Sequence, residues 1–129
     1  MLTCLAMALG IVSLGDIPSL AAEVETEARA LSAQTEMSAE FLAQLTDFSG
    51  DALQLSDSLR AAGVTQDLPC IFRGISEDAR ERAADFHSAA TQAARAEAFT
   101  GLHALLDDAI LLAPMAAGAA ADAVVAANQ

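Results

Sequence analysis

From Val24 onward the larger side chains recur at alternating steps of four and three, the period of a helix with one buried face. The first register runs through Val24, Ala28, Leu31, Thr35, Ser38, Leu42 and Leu45, with polar Thr35 and Ser38 in its middle. Glu23, Glu25 and Glu27 sit in its first turns, where carboxylates suit the positive end of a helix dipole. A second register, Phe41, Leu45, Phe48, Ala52, Leu55, Leu59 and Ala62, passes straight through Ser49-Gly50-Asp51. That unbroken period predicts a kink at Gly50 rather than a new helix capped by Ser49 or Asp51, and Gly63 is placed to close the element.

Val64 to Leu68 reads as a connection. Asp67 stands as an N-cap, with Pro69 in the first turn, where its missing N–H costs nothing. The next helix is predicted from about Pro69 to Ala98, with Phe72, Ile75, Ala79, Ala83, Phe86, Ala90 and Ala93 on its apolar face and an Asp78–Arg82 pair outside. Gly74 and Ser76 mark a place where it can break and recap. Thr100-Gly101 is the next predicted break. Leu102, Leu105, Leu106, Ala109, Ile110 and Leu112 then form a short apolar helix that Pro114 stops or kinks. The stretch from Ala109 to Ala121 reads as buried helix, and the alanine-rich tail ends on Val124 and Val125. The expected class is all-α: a small antiparallel bundle of three to five helices.

Leu2 to Leu14 carries no charge, and Gly15, Pro18 and the small-residue positions of Ser19-Leu20-Ala21 follow it. This resembles the apolar core and cleavage site of a secretory signal, although no Lys or Arg precedes it. The expected organisation is a signal-like N-terminal helix over 1–21 and a single acidic domain over 22–129. The expected location is the periplasm or the exterior. The apolar run is shorter than the ~20 residues of a membrane-spanning helix, so no transmembrane span is expected after cleavage.

Charge then narrows the partners. Six basic residues, all arginine, face 18 acidic ones, for a net charge of −12. No basic stripe for a phosphate backbone can be assembled from these, which excludes nucleic acid and disfavours anionic membranes. A basic protein partner or cationic ligand is permitted. The core is expected to be thin, because much of the 54% hydrophobic content is alanine and the aromatics are five Phe with no Trp or Tyr.

Candidate chemistry is sparse. Asp67 to Gly74 is the densest stretch, and Cys70, Phe72 and Arg73 are its interaction candidates. Cys70, in a first helical turn with Arg73 one turn on, is expected either as a reactive thiol or, preferably, as a small buried plug. His87 and His103 are the two imidazoles, and neither has a Glu three residues before it, so a di-metal bundle site is not indicated. Met37 with His103 has the placement of a haem-binding pair in a bundle, but no CxxCH attachment is present. No Gly-x-Ser-x-Gly, phosphate loop or HExxH occurs, so no enzyme is indicated. The sequence therefore reads as an exported binding or accessory module without a resident cofactor. The alternative is a haem- or metal-binding bundle using His103 with Met37 or His87.

Overall fold

The computed structural model describes residues 16–65 and 67–128; the Leu2–Leu14 run, with Cys4, lies outside them. Four helices follow in order: α1 (Ile17–Ser32), α2 (Ala39–Ala61), α3 (Leu68–Ser88) and α4 (Gln92–Ala127). Each packs against two neighbours in a ring, α1 on α2, α2 on α3, α3 on α4 and α4 back on α1. Short connections make sequential helices antiparallel, so this is an all-helical up-and-down bundle.

The core follows the predicted registers closely in its first half. Val24, Ala28 and Leu31 of α1 and Phe41, Leu45, Phe48, Ala52, Leu55 and Leu59 of α2 are all buried. Phe72, Ile75 and Ala79 of α3 and Leu102, Leu105, Leu106 and Ala109 of α4 complete it. Burial of each large side chain contributes about 1.5–3 kcal/mol.

Four places show how the registers are divided among the helices. The first is the α1–α2 junction, where the shared register hid a turn. Thr35 and Ser38 lie in the connection, and the Ser38 hydroxyl caps α2 by accepting from the Phe41 N–H at 3.1 Å. The second is Gly50, where α2 continues as one helix, as the unbroken period predicts. Beside it Ser49 is buried against α3 in a reciprocal clasp. The Ser49 hydroxyl donates to the Ser76 carbonyl at 2.9 Å, and the Ser76 hydroxyl donates to the Ser49 carbonyl at 2.7 Å. Arg80 Nε adds a bond to Ser49 Oγ at 2.9 Å. Ser76 is thus a packing residue between helices and not a new cap. The third is the α3–α4 junction. α3 stops at Ser88, and Thr91 caps α4 by accepting from the Ala94 N–H at 3.1 Å. Thr100-Gly101 falls inside α4. A Cβ on Gly101 would stand 3.0 Å from Arg82 Nε of α3, so glycine there serves helix approach rather than chain reversal. The last is Pro114, where of the two expected outcomes a stop is removed: α4 carries the proline in its interior.

Gly63 does end α2, with φ +85°, the left-handed conformation that glycine adopts without steric cost. Asp67 precedes α3, with Pro69 in its first turn as expected, but the Asp67 side chain makes no capping bond. Arg82 approaches Asp85 at 3.8 Å, three residues on, in place of the expected Asp78 pair.

Two features bear on the ends of the chain. α1 begins at Ile17, and Ile17, Leu20 and Ala21 are core residues. The expected cleavage position after Ala21 therefore falls within a packed helix. By length and composition α4 could cross a membrane, its most apolar window having a mean hydropathy of 1.8 with 22% of it buried. The Ala109–Ala121 stretch is not the uniformly buried helix expected. Its alanines 109, 113, 116 and 120 face inward, while Leu111 and Met115 are exposed.

Candidate functional site

The strongest electrostatic feature lies between α1 and α2. Glu23 and Glu27 stand four residues apart on α1, and Asp47 and Asp51 four apart on α2, so each pair shares one helix face. The helices bring these faces together. One carboxylate oxygen from each of Glu23, Glu27 and Asp51 lies within 4.8 Å of the others. Among the described residues this is the one place where three side chains of metal-ligating type converge. Oxygen donors of this kind suit a hard divalent cation or a cationic side chain.

Glu27 carries the electrostatic load of that convergence. Its carboxyl group is pushed up from 4.5 to about 8, first by burial, then by a hydrogen bond to Asp51 and by the negative charges of Asp51, Glu23 and Asp47. Glu27 Oε2 is enclosed and has no hydrogen-bond partner among the described residues. At neutral pH the group holds its proton, because burial and the surrounding carboxylates make a further full charge in this space unfavourable. The neighbouring Glu25 is relieved by Arg29, whose Nε approaches at 3.2 Å on the exposed side. Arg29 is two residues from Glu27 but stands on another face of the helix, turned to Glu25.

A hollow of about 250 Å³ opens beside the cluster, lined by Thr26, Glu27, Ala30, Leu31, Gln44 and Asp47. Its edge is held by a Gln34–Gln44 side-chain bond of 2.7 Å that ties the α1–α2 connection to α2. Glu27 and Asp47 together with Ala30 and Leu31 give it an amphipathic lining, suited to the stem and head of a lysine or arginine.

The residues singled out from the sequence lie elsewhere. Phe72 is wholly buried in the core, whereas Cys70 is exposed, so the expectation of a buried plug at Cys70 does not hold. Arg73 sits outside on α3 and pairs with Glu77 at 3.1 Å. The three do not form one surface, because Phe72 faces inward. Met37 is half-buried against the core from the α1–α2 connection. His87 is exposed on α3, its ring 6.2 Å from that of Phe86. His103 is half-buried on α4, edge-on to Phe99 with ring centres 4.5 Å apart, and Phe99 in turn meets Phe41 at 5.6 Å. His103 Nε2 is enclosed and lacks a hydrogen-bond partner among the described residues.

The carboxylate cluster had a sequence signal that periodicity in apolar residues does not display. Its signal is two acidic i, i+4 pairs on sequential helices that pack against each other. The periodicity places Glu23, Glu25 and Glu27 in the first turns of a helix, but α1 starts earlier, at Ile17, and has no acid in its first turn. Compared with protein-family models, curated proteins and solved structures, the chain matches none of them.

Proposed function

We propose that this chain is a small acidic binding module that receives a basic side chain of a protein partner in the α1–α2 hollow. The observation that carries the reading is the convergence of Glu23, Glu27 and Asp51 beside a hollow that Glu27 and Asp47 line, with Glu27 Oε2 enclosed and without a partner among the described residues. A guanidinium or ammonium placed there would receive charge-assisted hydrogen bonds and remove the mutual repulsion of the carboxylates. Binding would thereby draw the Glu27 proton off. The net charge of −12 would also speed encounter with a basic partner at low salt.

The test is calorimetric titration with a short arginine-rich peptide, run in two buffers of different ionisation enthalpy. Proton release near neutral pH, together with about ten-fold or greater weakening by Glu27→Gln with Asp51→Asn, supports the reading. Binding that ignores both substitutions, or none at all, sinks it.

Export belongs to the same proposal. The uncharged Leu2–Leu14 run supports it, and the packing of Ile17, Leu20 and Ala21 argues for a cut upstream of Ile17. Intact mass of the chain recovered from an envelope fraction reads the position directly. A cofactor-binding bundle is the second reading, favoured by the enclosed, unpartnered Nε2 of His103. It requires a Soret band or bound metal in the purified protein; a colourless, metal-free sample that does not take up haem removes it.

A further inference from the structure

The seam between α1 and α2 carries a second hollow besides the one described above. It measures about 220 Å³ and is lined by Asp16, Ser19, Leu20, Glu23, Gln54 and Ser58. The carboxylate cluster joins the two. Glu27 lines the first hollow and Glu23 the second, and their oxygens lie within 4.8 Å of each other and of Asp51. The order along the seam is that of antiparallel neighbours: Glu23 of α1 stands with Gln54 and Ser58 of α2, and Glu27 with Gln44 and Asp47.

The walls of both hollows offer lone pairs rather than protons. In the first, the Thr26 hydroxyl donates to the Ala22 carbonyl at 2.8 Å. In the second, the Ser58 hydroxyl donates to the Gln54 carbonyl at 2.7 Å. Each oxygen keeps acceptor capacity that only a donor can use. Ser58 is wholly buried, and a hydrogen bond gains strength in such surroundings. Asp16, Glu23, Glu27 and Asp47 are among the lining residues of the two hollows, and no basic residue is. Heads that carry several N–H donors and a positive charge complement these walls. Leu20 in one hollow and Leu31 in the other supply apolar surface for a methylene stem.

Spacing then selects the shape of the occupant. The α1 residues that line the hollows are centred near positions 20 and 28, which places the hollows roughly 12–14 Å apart at 1.5 Å per residue. An extended chain rises about 3.3 Å per residue and returns to the same face at every second one. Side chains at i and i+4 of such a chain therefore point the same way, about 13 Å apart. In a helix the same two positions stand only about 6 Å apart.

We propose that the α1–α2 seam is a groove for an extended basic segment of a protein partner, with two basic residues at i and i+4, one in each hollow. The proposal rests on the binding reading above and adds to it the second hollow and the spacing.

Calorimetric titration of the full chain with glycine- and serine-based peptides tests it. One peptide carries a single arginine, and the others carry a second arginine at i+2, i+3, i+4 or i+8. The i, i+4 peptide is expected to bind about ten-fold or more tightly than the single-arginine peptide and better than every other spacing. Ser19→Leu fills the second hollow at an exposed position without changing charge, and an unchanged thermal melt shows that it still folds. This variant should lose the advantage of the second arginine and keep its affinity for the single one. A single-arginine peptide that binds while no second arginine helps overturns the groove and leaves the binding reading standing. A preference for i+8, the spacing of a helical ligand, overturns it too, as does an i+4 advantage that survives Ser19→Leu. If no peptide binds, both readings fall.

Discussion

Replacing Glu27 with glutamine should make this protein more stable, and the gain should depend on pH in a defined direction. The side chain keeps its shape and retains an N–H for Asp51, but it can no longer ionise. In the folded chain Glu27 holds its proton to about pH 8, against 4.5 for an ordinary glutamate. Between those values the native state carries a proton that the unfolded state has released, so stability falls as pH rises through the window. Below it both states are protonated and Glu27 contributes nothing; above about 8 the destabilisation is complete. A displacement of this size corresponds to at most about 5 kcal/mol. Water reaches the half-buried group, and screening reduces the expected effect to about 1–3 kcal/mol. Urea unfolding of both proteins at about pH 5, 7 and 9 reads this directly as a difference of midpoints. Groups common to the two proteins cancel. The curves should lie close together at the lowest pH and separate at the highest, with Glu27→Gln the more stable. Equal slopes against pH, or a variant less stable at pH 9, would refute the argument that unrelieved carboxylate crowding is stored between α1 and α2.

Three further outcomes follow from the packing. Phe72→Ala removes a wholly buried ring and should cost about 3–5 kcal/mol in denaturant unfolding. Ser49→Ala and Ser76→Ala should each cost about 1–3 kcal/mol, and the double substitution clearly less than their sum, because each hydroxyl serves the other's carbonyl. Ser49→Ala should be the worse of the two, since it also strips Arg80 Nε of its acceptor. Deleting the chain through Ala21 should destabilise the bundle by about 3–6 kcal/mol relative to deletion through Gly15, because it removes the buried Ile17 and Leu20. Thermal melts that coincide for the two deletions would show that the first turn of α1 is dispensable.

The helical class was legible because large side chains repeat every three to four residues along Phe41–Leu59 and Phe72–Ala79, and burial demands such a face. The junctions were less legible, for a reason particular to this chain. Ser38, Ser49, Ser76 and Thr91 are one chemical type in four settings, and a hydroxyl can cap a helix end or clasp a neighbouring helix. Ser38 and Thr91 cap; Ser49 and Ser76 clasp. Which happens depends on what stands opposite in space, and no local pattern carries that. Glycine poses the same problem: Gly63 has a positive φ that ends α2, while Gly101 lies within α4 to let Arg82 of α3 pass.

The acidic hollow was hidden by a further step. An i, i+4 acidic pair on one helix is an ordinary solvated feature, mildly unfavourable and otherwise unremarked. Glu23 with Glu27 and Asp47 with Asp51 become a site because α1 and α2 are antiparallel neighbours with those turns in register. That register is set by the buried faces, Val24, Ala28 and Leu31 against Phe41, Leu45 and Phe48, whose burial far outweighs the repulsion it imposes. The hydrophobic pattern thus fixes where the charges end up, and the strain they bear is a consequence of packing, which under the proposed function a basic ligand would relieve. If instead the carboxylates were placed only for solubility, removing one of the four would leave stability at neutral pH unchanged. The glutamine substitution at Glu27 separates these two causes.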